Sequence, residues 1–364
     1  MSVKQKKKVL EKPEGYKVIS DDDLFRSSSQ YRLWSFTKEQ LDTKRVDTNA
    51  HAVAAIEEKL TMFKKDYASD ISEEDAKMIN EKAIPLTAEE ELKLVDFYAK
   101  KVQGIAQHLN LPTEVVSSAL IFFKRFYLEN SVMEIDPKTI VHTIIFLACK
   151  SENYFISVDS FSKKTKASRD TILKYEFRIL ESLKFSLLCH HPFKPLHGFF
   201  LDIQNVLHGK VDVKYMGEIY TKTKKRISDA LLTDVAFLFT PPQITLAALS
   251  LEDEQLTEKY LETKFSNTDT IIEASKDTNE KDKDSEVIKE DRPDKINYIL
   301  LLSLIDQCKE VMSNPSQVSM EEAKSSAAKL YFCNHPMNII QRNKKTQPDG
   351  TDSKEESPVK KQKI

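Results

Sequence analysis

Six glycines in 364 residues, repeated helix-capping patterns and apolar residues at helical spacing predict an all-α protein. No two glycines lie close enough for a G-x-G turn or a P-loop. Loops that cradle phosphate need glycine where backbone N–H groups approach the ligand, and tight hairpins often need it too. A nucleotide-binding α/β enzyme and a hairpin-rich β-protein are therefore both disfavoured.

The elements follow in order. Residues 1–26 are charged and aperiodic and read as a flexible basic arm. Within 27–86, "SFTKEQL" offers Ser35 or Thr37 as N-cap, with Gln40 as capping-box partner, so a helix is expected through "LDTKRVDTNAHAVAAIEEKLTMF". Residues 64–84 are polar and read as a long connection. Thr87 with Glu90 makes a second capping box before "ELKLVDFYAKKVQGIAQHL". Pro112 opens "TEVVSSALIFFKRFYL". Asp136 caps, and Pro137 takes the first position of, "KTIVHTIIFLACK". "SVDSFSKKTK" reads as a short helix and "SRDTILKYEFRILESLKF" as one longer helix. Pro192 and Pro195 then interrupt helicity in "CHHPFKP".

A second series runs from "LHGFFLDIQNVL" through "YMGEIYTKTKKRISDALLTDVAFLF" to "TPPQITLAALSLE". "DPKTIVHTIIFL" and "TPPQITLAALSL" match in pattern, each a short apolar helix opened by proline, which suggests two copies of one helical unit. A charged, aromatic-poor stretch at about 262–293 reads as a solvated insertion. "INYILLLSLIDQCKEVM" resumes the second unit, a C-terminal helix falls within 313–343, and 344–364 is a disordered basic tail.

The formal charge of -2 exerts no global pull toward nucleic acid or membrane. No apolar run approaches the roughly 18 residues that span a bilayer. The charged N-terminus lacks the apolar core of a secretory signal. Cys149, Cys189, Cys308 and Cys333 form no C-x-x-C pair and read as reduced thiols of an intracellular protein. No metal or cofactor is expected. His190-His191 has no ligand partner at metal spacing and reads as a structural loop. In "IFFKRFYL" the aromatics read as core and Lys124 and Arg125 as solvated. No nucleophile motif is found.

Lys150 ends the most apolar helix of the chain, where a lysine by itself only complements the helix dipole. Glu176 changes that reading. On one continuous helix its neighbours Ile172, Leu173, Ile179, Leu180 and Leu183 form an apolar stripe, where an unpaired carboxylate is costly. Lys150 is its natural partner, and Leu147, Leu180, Phe185 and Leu187 form an apolar rim around the pair. An ion pair ringed by apolar groups suits an interface centre.

The stretch 87–188, with this lysine and glutamate, resembles a cyclin box. "FKRFYLENSVMEIDPKTI", "FLACKSEN" and "ILKYEFRILESLKFSL" resemble the first box of the cyclin C/H-like subfamily, and the TFIIH-associated cyclin H group in particular. "HPFKPLHGFFLDI" and "ALLTDVAFLFTPPQITLAAL" resemble its second box, and "RLWSFTKEQL" its N-terminal helix. The resemblance spans roughly 30–312 apart from the insertion. It implies two tandem five-helix cyclin boxes, at 87–189 and 190–312, with additional N- and C-terminal helices.

It also implies a non-catalytic subunit that activates a cyclin-dependent protein kinase of TFIIH. The phosphorylated substrate would be the RNA polymerase II repeat tail. Lys150 and Glu176 would hold the backbone beside the kinase C-helix, with Leu147, Leu180, Phe185 and Leu187 as apolar kinase contacts. The kinase is thereby biased toward the state in which its own Lys–Glu pair closes over ATP. Implied partners are the kinase, a kinase-module assembly factor and other TFIIH subunits, with no direct nucleic acid and no membrane; the location is nuclear. The chain departs from the family pattern at Ser151-Glu152-Asn153, where an apolar or aromatic residue and then acids are usual. The alternative is a nucleic-acid adaptor resembling transcription factor B, but its zinc ribbon and basic face have no counterpart here. "KQKKK" and "KKQK" are candidate nuclear-localisation patches, and Ser357, followed by Pro358, is a candidate phosphosite for a proline-directed kinase.

Overall fold

The computed structural model describes residues 25–68, 71–209, 211–266 and 298–340. The basic arm up to residue 24, most of the charged insertion, both basic patches and Ser357 lie outside the described residues. Among the described residues every regular element is helical.

The helices are α1 (Ser29–Trp34), α2 (Lys38–Asp66), α3 (Glu73–Lys82), α4 (Ala88–His108), α5 (Thr113–Glu129) and α6 (Pro137–Ser151). After them come α7 (Val158–Thr165), α8 (Arg169–Leu173), α9 (Glu176–Ser182), α10 (Phe193–Val206), α11 (Val213–Ala230) and α12 (Val235–Leu238). The last are α13 (Pro241–Glu252), α14 (Glu254–Leu261), α15 (Tyr298–Ser313) and α16 (Met320–Asn334).

The expected caps form. Gln40 Oε1 accepts from the Thr37 N–H at 2.9 Å, and Glu90 Oε2 accepts from the Thr87 N–H at 3.1 Å. Asp136 Oδ1 accepts from the Lys138 N–H at 2.9 Å. These bonds satisfy N–H groups that have no acceptor inside the helix.

Five expectations are corrected. The polar connection at 64–84 contains α3, started by a reciprocal capping box between Ser72 and Asp75. The long helix around Glu176 is two helices, because Tyr175 leaves helical geometry at φ -104, ψ 7. Pro195 does not break α10; it sits in the first turn, where its missing N–H would have had no intrahelical acceptor. The charged insertion begins in ordered structure, a π-helical turn over Glu262–Ser266.

Lys124 and Arg125 are buried rather than solvated, and each has acceptors waiting. Lys124 Nζ donates to the carbonyls of Leu232 at 2.9 Å and Thr233 at 2.5 Å, and lies 3.2 Å from Asp234 Oδ1. It therefore neutralises the carbonyl end that follows α11. The Arg125 guanidinium lies 5.1 Å from the centre of the Trp34 ring and donates to the Ser186 carbonyl at 3.4 Å.

The described residues fall into two compact units. The first holds 25–42, 102–126, 142–209, 211–266 and 298–315. At its centre α13 packs against α10, α11, α12, α14 and α15. Buried residues run from Ile244 to Ser250 without a gap, as an all-round apolar helix requires. The Thr245 hydroxyl, buried there, donates to the carbonyls of Pro192 and Pro241 at 2.7 and 2.9 Å. The apolar C-terminal half of α6 (Ile144, Ile145, Ala148, Cys149) is wholly buried, and Phe146 meets Phe161 of α7 at 5.3 Å. Each large side chain so buried contributes roughly 1.5–3 kcal/mol.

The second unit holds 43–68, 71–101, 127–141 and 316–340. Its polar hub is Glu91, a buried carboxylate at the start of α4. It accepts from Asn49 Nδ2 at 2.7 Å, from the Val132 N–H at 2.6 Å and from the Ser131 hydroxyl. Helix α16 packs against α3, and Lys329 Nζ donates to Glu90 Oε1 at 2.6 Å.

Candidate functional site

The site begins with how α6 ends. Asn153 takes the left-handed conformation at φ 56. The Tyr154 N–H then donates to the Cys149 carbonyl at 2.8 Å and the Asn153 N–H to the Lys150 carbonyl at 3.3 Å. This is a Schellman closure, and asparagine tolerates its left-handed position better than most residues. The polar turn Ser151-Glu152-Asn153 is thus the stop signal of α6, fixing Lys150 in the last turn.

Glu152 turns inward. Its Oε1 accepts from the Ser118 hydroxyl at 2.5 Å and lies 3.4 Å from His191 Nε2, which is 2.9 Å from the same hydroxyl. The bond with His191 outweighs partial burial and holds the Glu152 carboxyl below the ordinary range. His190 is tied as well: its N–H donates to Gln30 Oε1 at 2.7 Å. Both histidines are structural, and among the described residues no cluster of His, Cys, Asp and Glu is arranged to hold a metal ion.

Lys150 Nζ donates to Glu176 Oε1, so the sequence-predicted pair is formed. It forms at the surface, however. The two side chains are 43% and 25% exposed. Glu176 is the first residue of α9, where a carboxylate favours the positive helix end, and the residue beside the break, Leu173, is exposed. The apolar stripe around Glu176 is therefore interrupted. The Lys150 ammonium also lies 5.0 Å from the centre of the Phe146 ring.

The four expected rim residues divide. Phe185 is 64% exposed, Leu180 and Leu187 are half-buried, and Leu147, at 3% exposed, lies beneath the surface rather than on a rim. Sequence reasoning missed Phe177, exposed on α9 and edge-on to Phe185 with ring centres 6.4 Å apart. The available signal is its spacing: Phe177 lies four residues after Leu173 and three before Leu180, at the edge of the apolar stripe.

A groove of about 500 Å³ adjoins Lys150, lined by Cys149, Asn153, Tyr154, Phe155, Ile156 and Ser157, with Phe155 95% exposed at its edge. Burial pushes the Cys149 thiol up to about 11, so at neutral pH it is not a nucleophile. What the arrangement offers is an accessible ion pair flanked by exposed aromatics, the anatomy of a protein-binding surface.

Two families of helical domain match the chain: the cyclin N-terminal domain over residues 68–188 and the cyclin C-terminal domain over 191–313. The chain belongs to the cyclin family. It is 57% identical to Cyclin CCL1 of Saccharomyces cerevisiae over 360 residues, covering 95% of this chain and 91% of the relative. It is 38% identical to Cyclin mcs2 of Schizosaccharomyces pombe, covering 66% of this chain and 73% of the relative. Among solved structures it resembles a chain of the yeast TFIIK (Kin28/Ccl1/Tfb3) complex, at 56% identity and a TM-score of 0.59, covering 79% of this chain and 99% of that one. A chain of the Chaetomium thermophilum CAK complex bound to ATP-gamma-S matches at 28% identity and a TM-score of 0.69, covering 94% and 100%. The matched relatives are cyclins, and the adaptor reading is set aside.

Proposed function

We propose that this chain is a cyclin H-type regulatory subunit. It binds and activates a cyclin-dependent kinase of a TFIIH-type complex and so supports phosphorylation of the RNA polymerase II repeat tail and transcription initiation. The observation that carries this is the 57% identity spanning 91% of Cyclin CCL1, together with the match to a chain of the TFIIK complex. The chain supplies no catalytic group of its own and needs no cofactor. It acts in the nucleus, with the kinase and an assembly factor as partners.

The kinase-binding centre is the Lys150–Glu176 pair, with Leu180, Phe185 and Leu187 around it and Leu147 supporting it from below. The exposure of the pair and of Phe185 supports that placement. Held in this geometry, the pair presents hydrogen-bonding groups to the kinase C-helix, and binding shifts the kinase toward its C-helix-in state. The test is to purify the tagged chain from cells with its partners and to assay the complex on a polymerase-tail peptide. Recovery of a protein kinase that phosphorylates the peptide is expected. Stoichiometric complexes without a kinase would refute the reading.

A further inference from the structure

We propose that the segment from Phe25 to Trp34 is a brace for the loop 184–190, and that Trp34 and Gln30 are positioning residues for kinase binding. The inference rests on the reading that the Lys150–Phe185 face receives the kinase.

It starts from an unusual helix end. The Lys184 N–H donates to the Glu181 carbonyl at 2.8 Å and the Phe185 N–H to the Leu180 carbonyl at 3.0 Å, a Schellman closure of α9. Lys184 occupies its left-handed position at φ 54, and Phe185 follows at φ 53. Glycine is the residue that enters this region freely, and two successive side-chain-bearing residues there, one aromatic, are strained. That double turn is what leaves the Phe185 ring outside. Such a conformation persists only when its surroundings over-determine it.

The surroundings come from the N-terminal segment. The Lys184 ammonium lies 5.2 Å from the centre of the Trp34 ring, which is fully buried and also faces the buried Arg125 guanidinium. Arg125 donates to the Ser186 carbonyl, and the Ser186 hydroxyl donates to Ser29 Oγ at 2.7 Å. Gln30 grips the far end of the loop twice, accepting from the His190 N–H at 2.7 Å and donating to the His190 carbonyl at 3.4 Å. The Phe25 ring packs edge-on to His190 at 5.6 Å. Trp34 and Gln30 are both buried, so they act on a partner only through the loop that carries Phe185 and Leu187.

The experiment titrates the kinase that co-purifies with the chain against full-length parent, Gln30→Ala, Ser29→Ala and Trp34→Leu proteins. If the unbraced loop presents Phe185 about a tenth of the time, the concentration for half-maximal activation rises roughly tenfold, with the maximal rate at saturation unchanged. Adding Lys184→Gly to Trp34→Leu, in which the ring that Lys184 packs against is already gone, relieves the left-handed strain at that position and restores most of that loss. Trp34 is the sole tryptophan, so 5-fluorotryptophan labelling gives one fluorine resonance, expected to move on Gln30→Ala and on kinase binding. Gln30→Ala and Ser29→Ala keep the test decisive should Trp34→Leu fail to fold. Parent-like activation by the folded brace variants, or no rescue by Lys184→Gly, overturns the brace. If Lys150→Glu abolishes activation in the same assay, the kinase-binding face still stands. Normal activation by Lys150→Glu removes the face, and the brace proposal with it.

Discussion

Removing the Lys150–Glu176 pair should leave the free protein nearly intact and yet cost it its partner. In the free chain the ammonium is 43% and the carboxylate 25% exposed, so water and salt screen their attraction. Exposed pairs of this kind are worth about 0.2–1 kcal/mol. Lys150 adds a helix-dipole contribution of about 0.3–1 kcal/mol. Its position near the Phe146 ring adds about 0.5–1 kcal/mol. Lys150→Ala should therefore cost the isolated protein about 1–3 kcal/mol, less than the roughly 5–15 kcal/mol that holds a typical domain folded.

Docking a partner over the pair changes the medium. Water leaves, and truncating one member of a desolvated, hydrogen-bonded charge pair costs about 2–5 kcal/mol of binding. That corresponds to a loss of roughly 30- to 5,000-fold in affinity. A double-mutant cycle with Lys150→Ala, Glu176→Ala and the double variant separates the two regimes. Coupling should be under about 1 kcal/mol in urea denaturation of the free chain and larger in calorimetric titration with the kinase. Strong coupling in the free chain with unchanged kinase affinity would refute the reasoning, because the pair would then be an internal fastening.

Three further outcomes concern buried or half-buried polar groups. Lys124→Met should destabilise the protein by roughly 3 kcal/mol, since the Leu232 and Thr233 carbonyls lose their donor; a thermal melt matching the parent would contradict it. Glu91→Ala should cost about 2–4 kcal/mol by stranding the Val132 N–H, the Asn49 amide and the Ser131 hydroxyl, with Glu91→Gln milder; denaturant midpoints rank the three proteins. Glu152→Gln should destabilise at neutral pH in a way that fades in acid. The folded carboxyl lies below its unfolded value of about 4.3, so its contribution is complete above that pH and is lost as pH falls through the folded value. A gap between parent and variant that persists undiminished under strongly acidic conditions would contradict the assignment.

What the sequence revealed and what it hid have physical reasons. The caps at Thr87 and Asp136 were legible because donor and acceptor lie within three residues of each other. Ser72 has the same spacing to its partner, but with Asp75 in place of the usual Glu or Gln, and α3 was lost in a polar stretch. The break at Tyr175 carries no glycine or proline, so nothing local marks it. The acceptors of Lys124 and Arg125, on Leu232, Thr233 and Ser186, lie far along the chain, so nothing local marks these two cations as buried. The apolar stripe that calls for a partner to Glu176 is broken in space, yet the two charges meet.

The two cyclin domains use one core solution and put its open end to different uses. When "DPKTIVHTIIFL" is laid on "TPPQITLAALSL", Lys150 falls on Glu254. Both core helices open with a proline and are apolar on nearly every side, so each meets the same packing demand. Beyond the core the chemistry diverges. Where the first domain carries Lys150 in the last turn of α6, the second has already ended α13 and starts α14, with Glu254 held by Lys309 Nζ at 3.0 Å. At the end of α13, Glu252 is paired with Arg226 of α11. The second domain thus spends its charges on pairs between its own helices and presents the opposite sign at the position of Lys150. On the proposed reading the kinase helix meets, on the first domain, a lysine held by a glutamate, and the corresponding position of the second domain carries instead a glutamate held by a lysine.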